Sequence, residues 1–326
     1  MRVKINNSFS DTVILEFGIP QGSVLGPVLF NIYVRSIYKL IQQQGFNIKG
    51  FADDHQLYVS FTPEFQFHYL GKKISQVLEA LHNWMKSFFL KLNADKTQII
   101  VFGPNAVTDK VCIHGTFVGE NRCIRFSNTV SNLGVLLDSN LTFAAQVNKT
   151  VSAVFLSIKN ISRISSFLTV KERATLVCSL ILSKLDNANS LYYGTNSNLL
   201  SKLQYAQNSA ARLVYKRRKH DHVTNVMKDL HWLPVKHRVT YKILLIVHKG
   251  FYGNSPQEIN DLLIIHSSRT FNLRIDVHKT RYGSRAFSTY AGRVWNVLPM
   301  YLKLESNTPS FKKLLKTYLF NLEYIL

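Results

Sequence analysis

Apolar residues recur at two different periods along this chain, and the switch between them near residue 146 limits the folds open to it. Beyond that point Val147, Val151, Val154, Phe155, Ile158, Ile161 and Ile164 form one stripe at helical spacing. Thr169 followed by Glu172 has the form of a capping box, in which each side chain accepts the other residue's otherwise free backbone N–H, so a second helix starts there. A third helix is expected from about Leu199 to Tyr215, and a fourth over Val235–Lys249 behind Pro234. The stretch Phe251–Asn307 reads as loop-rich and basic, and a last amphipathic helix covers Phe311–Leu319 after Pro309.

Upstream of the switch the signals are those of short strands, turns and two covering helices. Small alternations from Val3 to Phe17 around Asn6-Asn7 predict a hairpin, which the breaker Gly18-Ile19-Pro20 ends. Val28, Leu29, Ile32, Tyr33, Ile37 and Leu40 then predict one helix with Gly45 as its stop. Phe46–Phe61 reads as two strands closing on Asp53-Asp54, with Leu57 and Val59 alternating against Gln56 and Tyr58, and Pro63 ends the second. Glu64–Phe89 carries Leu70, Ile74, Val77, Leu78, Leu81, Trp84, Met85 and Phe88 on one helical face. A turn and a strand, Gln98–Phe102, follow, and 104–145 looks like a small β section. Mixed structure first and helices afterwards make the fold class α+β.

At 326 residues and 46% hydrophobic, the chain can bury a sizeable core and more than one folded unit. Forty Lys and Arg against nineteen Asp and Glu give +21, a field that gathers polyanions; nucleic acid leads, ahead of an anionic membrane surface. Cys112, Cys123 and Cys178 form no C-x-x-C pair, so neither a zinc finger nor a disulfide partner is expected, and an intracellular setting fits. The first residues lack the apolar core of a signal peptide, and the longest aliphatic run, Ile243–Val247, is too short to span a bilayer, so no membrane partner is expected.

Four groups of residues carry chemistry. In GIPQGSVLGPVLF, Gly18–Phe30, Gly22 and Gly26 let backbone approach a ligand and Gln21 offers an amide just before a helix; an ordinary Gly-Pro loop reads the same way. In FADD, Phe51–Asp54, tandem carboxylates at a hairpin tip are a way to hold Mg²⁺ for in-line displacement, although Asp-Asp is also a common turn. In NADKT, Asn93–Thr97, the Lys96 ammonium would protonate or neutralise a leaving pyrophosphate, or be a solvated turn lysine. In NLGVLLD, Asn132–Asp138, Gly134 permits a sharp turn that would press on a primer backbone, or an ordinary hairpin.

Taken in order and at these separations, the four resemble the reverse transcriptase palm of LINE-type, non-LTR retrotransposons. ILSKLDNANSLYYG, LQYAQNSAARLV, LHWLPVKHRVTYKILLIVHKGFYGNSPQEINDLL, KTRYGSRAFSTYAGRVWNVLP and SFKKLLKTYLF look like the region after the polymerase in chicken-repeat-type and jockey-like elements. The resemblance implies a truncated palm over 1–103, with an antiparallel sheet and covering helices, and a β connection with a primer-grip-like motif over 104–145. It further implies a helical thumb over 146–219 and a basic, mostly helical, loop-rich C-terminal region over 220–326. It implies Asp53 and Asp54 as ligands of Mg²⁺, and Phe51 with Ala52 as floor of the nucleotide site. Gln21 and Gly22 would touch nucleotide and template, Lys96 would be the general acid, and Leu133, Gly134 and Val135 the primer grip. The partners so implied are an RNA template, a DNA primer and deoxynucleoside triphosphates.

The chain also departs from that pattern. The family carries a further carboxylate in a D-x-x-x-A-F-D context; here Asp11 and Glu16 are the only acidic residues ahead of the GIPQGS loop, and neither has that context. Two carboxylates under-ligate a two-metal site, so little polymerase activity is expected of this chain alone, and a sticky sheet edge is expected with it. In YVRSI, Tyr33–Ile37, Arg35-Ser36 replaces a frequent Asn-Asp.

Lys216, Arg217, Arg218 and Lys219 would grip phosphates or serve as a nuclear import signal, and favourable helix-end electrostatics would equally account for them. Between Arg212 and Lys249 ten Lys and Arg face only Asp221 and Asp229. His220 and His222 lack a nearby cysteine, which disfavours zinc, and Trp232 and Trp295 read as core rather than as base-stacking platforms. The leading expectation is a reverse transcriptase fragment acting in nucleus or cytoplasm. The alternatives are a non-catalytic nucleic-acid-binding remnant of a transposable element, or the translation of a decayed copy.

Overall fold

The computed structural model describes the chain except residues 1, 15–17, 19–21, 63–66, 105–107, 109–115, 119–121, 125, 268, 279 and 326. It divides into two compact units, Met1–Leu133 and Gly134–Leu326, each with a hydrophobic core of its own.

In the first unit β1 (Lys4–Ile5) and β2 (Ser8–Phe9) pair across Asn6-Asn7, with Asn6 at φ +54°, a conformation asparagine tolerates. The single helix expected next is two, α1 (Gly26–Tyr33) and α2 (Ser36–Gln43). Between them the Val34 N–H still reaches Phe30 O at 3.0 Å, but that of Arg35 turns back to Ile32 O at 3.2 Å. The apolar stripe serves as a core face only in its second half: Ile37 and Ile41 are fully buried, whereas Val28, Leu29, Ile32 and Tyr33 are exposed. Gly45 ends α2 as expected, at φ +74°, with Gly45 N–H on Gln42 O and Phe46 N–H on Ile41 O, which satisfies carbonyls that the helix leaves free.

β3 (Asn47–Phe51) and β4 (Asp54–Tyr58) form an antiparallel hairpin, and α3 (Phe67–Ser87) covers it. Val77, Leu78 and Leu81 of α3 pack with Ile37, Ile41, Phe46 and Ile48, and Leu57 of β4 and Val59 just beyond it join them while Gln56 and Tyr58 face outward. Each such side chain fully withdrawn from water contributes about 1.5–3 kcal/mol. The strand expected over Gln98–Phe102 is absent: Ile99 makes one isolated parallel bridge with Phe126, because the following strands β5 (Thr116–Val118) and β6 (Arg122–Ile124) pair with each other. β7 (Thr129–Asn132) closes the unit. The described strands pair two by two, so the larger antiparallel sheet expected of a palm is not formed among the described residues.

The second unit opens with β8 (Val135–Asp138) and continues as helices: α4 (Ala144–Ile164), α5 (Val170–Val177), α6 (Ser197–Val214), α7 (Thr224–Asp229) and α8 (Val235–Phe251). The capping box is present, with Thr169 N–H on Glu172 Oε2 at 2.8 Å and Glu172 N–H on Thr169 Oγ1 at 3.3 Å. A π-turn over Cys178–Leu182 carries α5 into Ser183–Asp186. Ala206, Ala210 and Ala211 are fully buried on α6, which lets that helix approach its neighbours closely.

The C-terminal stretch is more helical than expected. α9 (Phe287–Asn296), α10 (Met300–Lys303) and α11 (Thr308–Tyr324) follow two single turns, Gln257–Asn260 and Arg281–Ser284. Trp295 explains the first of them: it is fully buried, stacks on Phe251 with centroids 4.9 Å apart, and donates Nε1–H to Phe271 O at 2.7 Å. Trp232 is buried too, so both tryptophans are core residues.

Candidate active site and nucleic-acid contacts

The β3–β4 register pairs Phe51 with Asp54, so Ala52 and Asp53 are the two residues of the turn. Ala52 has φ +54°, a left-handed conformation that such turns normally assign to Gly, Asn or Asp. Both aspartates are exposed, and Phe51 beside them is 68% exposed. Below the turn a Cβ at Gly50 would overlap the Tyr38 hydroxyl, so a larger residue there requires the Tyr38 side chain to shift. His55, which the motif reading passed over, faces Gly50 across the ladder; its Nδ1 lies 3.2 Å from Asp53 O and its ring meets Tyr38 edge-on. His55 Nε2 is buried without a hydrogen-bond partner among the described residues. Only its place directly after the carboxylates could have marked it in the sequence.

One hydrogen bond connects this hairpin to the NLGVLLD motif, and a second joins the residues flanking that motif and NADKT. Gln56, two residues past Asp54, donates to Asn132 Oδ1 at 2.6 Å, next to Leu133. Ser131 donates its N–H to Gln98 Oε1 at 3.0 Å, two residues past Lys96. Lys96 itself is exposed on a turn held by Asn93, whose O and Oδ1 both accept the Lys96 N–H at 3.2 Å. Leu133 is 53% exposed at φ +46°, Gly134 has φ +82°, and Val135 is half-buried. Gly22 is exposed at φ +90°, and Gln21 lies outside the described residues.

Two adjacent carboxylates are hard oxygen donors of the kind Mg²⁺ takes, but they are two ligands of about six. Among the described residues no set of three His, Cys, Asp or Glu side chains comes together. Asp11 is exposed and Glu16 lies outside the described residues.

In the second unit Lys216, Arg217, Arg218 and Lys219 are all exposed at the end of α6. Arg217 N–H bonds Arg212 O at 2.9 Å, with Lys216 at φ +51° in the position glycine usually takes. Asp221 holds the run in place: its carboxylate accepts Arg218 N–H at 2.8 Å and its carbonyl accepts Arg212 Nε–H at 3.0 Å. Four cations are thereby presented from an ordered backbone. His220 and His222 are exposed, and no helix among the described residues is long and apolar enough to cross a membrane.

Residues 2–137 match the reverse transcriptase (RNA-dependent DNA polymerase) family model. The chain is 24% identical over 183 residues to the RNA-directed DNA polymerase from mobile element jockey of Drosophila melanogaster, covering 54% of this chain and 19% of that protein. It is 23% identical over 250 residues to the probable RNA-directed DNA polymerase from transposon BS of the same species, covering 73% and 26%. The jockey polymerase of Drosophila funebris is 28% identical over 145 residues, covering 42% and 15%. No solved structure matches the chain. The chain thus spans about a quarter or less of the length of these curated relatives. With its motif order and its hairpin of exposed carboxylates, the chain carries a reverse transcriptase domain match over residues 2–137 and is similar to RNA-directed DNA polymerases of mobile elements.

Proposed function

We propose that this chain forms part of the polymerase machinery of such an element, holding an RNA template and a DNA primer and acting on deoxynucleoside triphosphates. The observation that carries this is the exposed Asp53–Asp54 hairpin, tied through Gln56 to the strand that leads into the Leu133–Gly134 turn. Asp53 and Asp54 would hold Mg²⁺, which when bound supplies positive charge to the in-line displacement. Phe51 and Ala52 would floor the nucleotide site, Gln21 and Gly22 would touch nucleotide and template, and the Lys96 ammonium would deliver a proton to the leaving pyrophosphate. Leu133, Gly134 and Val135 would press on the primer, and residues 146–219 would act as a thumb whose Lys216–Lys219 end tracks phosphates. The protein would act inside the cell, in nucleus or cytoplasm.

A second reading rests on the shortage of carboxylates around Asp53 and Asp54 together with the ordered basic run: the chain binds nucleic acid and performs little synthesis alone. Primer extension on an RNA template with Mg²⁺ separates the two. Extension that disappears in Asp53→Asn supports the active site, and extension that survives the substitution rules it out. Salt-sensitive binding of primer-template with no extension selects the second reading.

A further inference from the structure

The second unit holds a cavity of about 270 Å³ that the polymerase reading does not use. Phe143, Tyr193, Tyr282, Phe287 and Tyr290 wall it with five aromatic rings, Arg285 adds a guanidinium, and no lining residue is acidic. Its volume lies just under the roughly 300 Å³ at which pockets for whole small molecules begin, so it suits one planar ring system.

The wall is held in place by specific bonds. The Asp138 carboxylate accepts the N–H groups of Thr142 and Phe143 at 2.8 and 2.7 Å, which fixes a loop where Leu141 and Phe143 both have left-handed φ, +49° and +61°. Left-handed conformations at residues other than glycine persist only where their surroundings impose them, and they gather at ligand sites. Arg285 Nη2 donates to Leu141 O at 2.8 Å, with its guanidinium carbon 5.8 Å from the Phe143 ring centroid. Gly194, at φ +64°, makes room for that arginine, because a Cβ there would lie 2.9 Å from Arg285 Cγ. The Tyr282 hydroxyl reaches Asn140 Oδ1 at 3.4 Å.

Aromatic faces and a guanidinium stack on any nucleobase, and a wall without carboxylates does not repel the phosphates on either side of it. The chain has no acidic residue between Asp276 and Glu305, the stretch that supplies three of the five rings and the arginine, and its net charge is +21. We propose that this cavity takes one unpaired base of a single-stranded nucleic acid, stacked on its aromatic wall with the adjoining phosphate toward Arg285. The inference rests on the reading that this chain handles nucleic acid.

The test is fluorescence anisotropy with a labelled single-stranded oligonucleotide and with an abasic oligonucleotide of equal length, using the full chain. Tyr282→Ala is expected to weaken binding of the base-bearing strand about tenfold. Binding of the abasic strand, and the slope of log Kd against log salt, should stay as in wild type, since no phosphate contact is removed. Tyr282→Phe should retain wild-type affinity. Should Tyr282→Ala not fold, Phe287→Leu, which removes a ring and keeps an apolar side chain, carries the same comparison. Wild type holding both strands equally, or a ring-deleting variant binding as wild type does, overturns the pocket while the polyanion reading stands. Folded wild type that binds neither strand overturns both.

Discussion

Lys216 occupies a left-handed backbone position that favours glycine, and it does so at the head of a run of four exposed cations. An L side chain there costs about 1–2 kcal/mol, so Lys216→Gly is expected to raise the stability of the second unit by about 1 kcal/mol in urea titrations. If the Lys216 ammonium meets a phosphate, the same substitution lowers the slope of log Kd against log salt by about 0.9. A stability gain with an unchanged slope would show that the lysine is ordinary helix-end chemistry. Phe89 and His231 hold the same kind of position, with Leu90 N–H on Met85 O and Trp232 N–H on Met227 O. Gly45 was legible as a stop because glycine announces that conformation. Phe89, Lys216 and His231 were not, since in each case the next turns of chain impose it; at His231 the buried Trp232 that follows gives a visible reason.

At the scale of elements, Arg173 is a joint between helices. It is buried and has no acidic partner among its hydrogen bonds; instead its Nε donates to Val214 O at 2.7 Å, and its Nη1 donates to Ser165 O at 3.1 Å and to Leu168 O. Val214 ends α6 and Ser165 follows the last residue of α4, so a cation meets the negative ends of two helices. Arg173→Met strands those carbonyls and is expected to cost about 3 kcal/mol. A urea midpoint within error of wild type would refute this joint. The motif LQYAQNSAARLV acquires a meaning at the same scale: Gln207 donates to Leu233 O at 2.9 Å and Gln204 accepts Val235 N–H at 2.8 Å, which clamps α6 to the start of α8. Helix starts and stripes were legible because caps and periodicity are local. The break at Val34–Arg35 and the missing strand over 98–102 were not, because each depends on whether a partner surface arrives. α9 could have been found from Phe287, Ala291 and Trp295 at i, i+4 and i+8, a stripe hidden among basic residues.

At the scale of the molecule, pH acts through a histidine enclosed in the core of the second unit. His248 is fully buried, donates Nε2–H to Glu305 O at 2.7 Å and stacks on Phe311 with centroids 4.0 Å apart. Burial holds its pKa below the usual 6.5, outweighing the Glu305 carbonyl and carboxylate, which pull the other way; Tyr252 is the other titratable ring beside it. The folded imidazole is therefore the neutral form. Its contribution is complete above 6.5 and is lost as pH falls from 6.5 toward the lowered folded value, because the unfolded chain then takes a proton that the folded chain refuses. The loss is at most about 1.4 kcal/mol per pH unit. Stability measured at pH 7.5 and 5.5 should fall less in His248→Gln than in wild type, and equal falls would contradict the assignment.

What the linear chain settled unaided was local or ordinal. Alternation, caps and helical stripes marked the main helices and hairpins, since they depend on neighbours within a few residues, and the succession of GIPQGS, FADD, NADKT and NLGVLLD carried the resemblance to reverse transcriptases, since order is a property of sequence. Folding decided which apolar faces find a partner and which distant residues meet. It joined Gln56 to Asn132 and Ser131 to Gln98, split the first long stripe into a buried half and a bare one, and drew aromatic residues from remote segments around one arginine. Those outcomes depend on long-range packing, in which each surface competes for the same small core, and no window of neighbouring residues contains that competition.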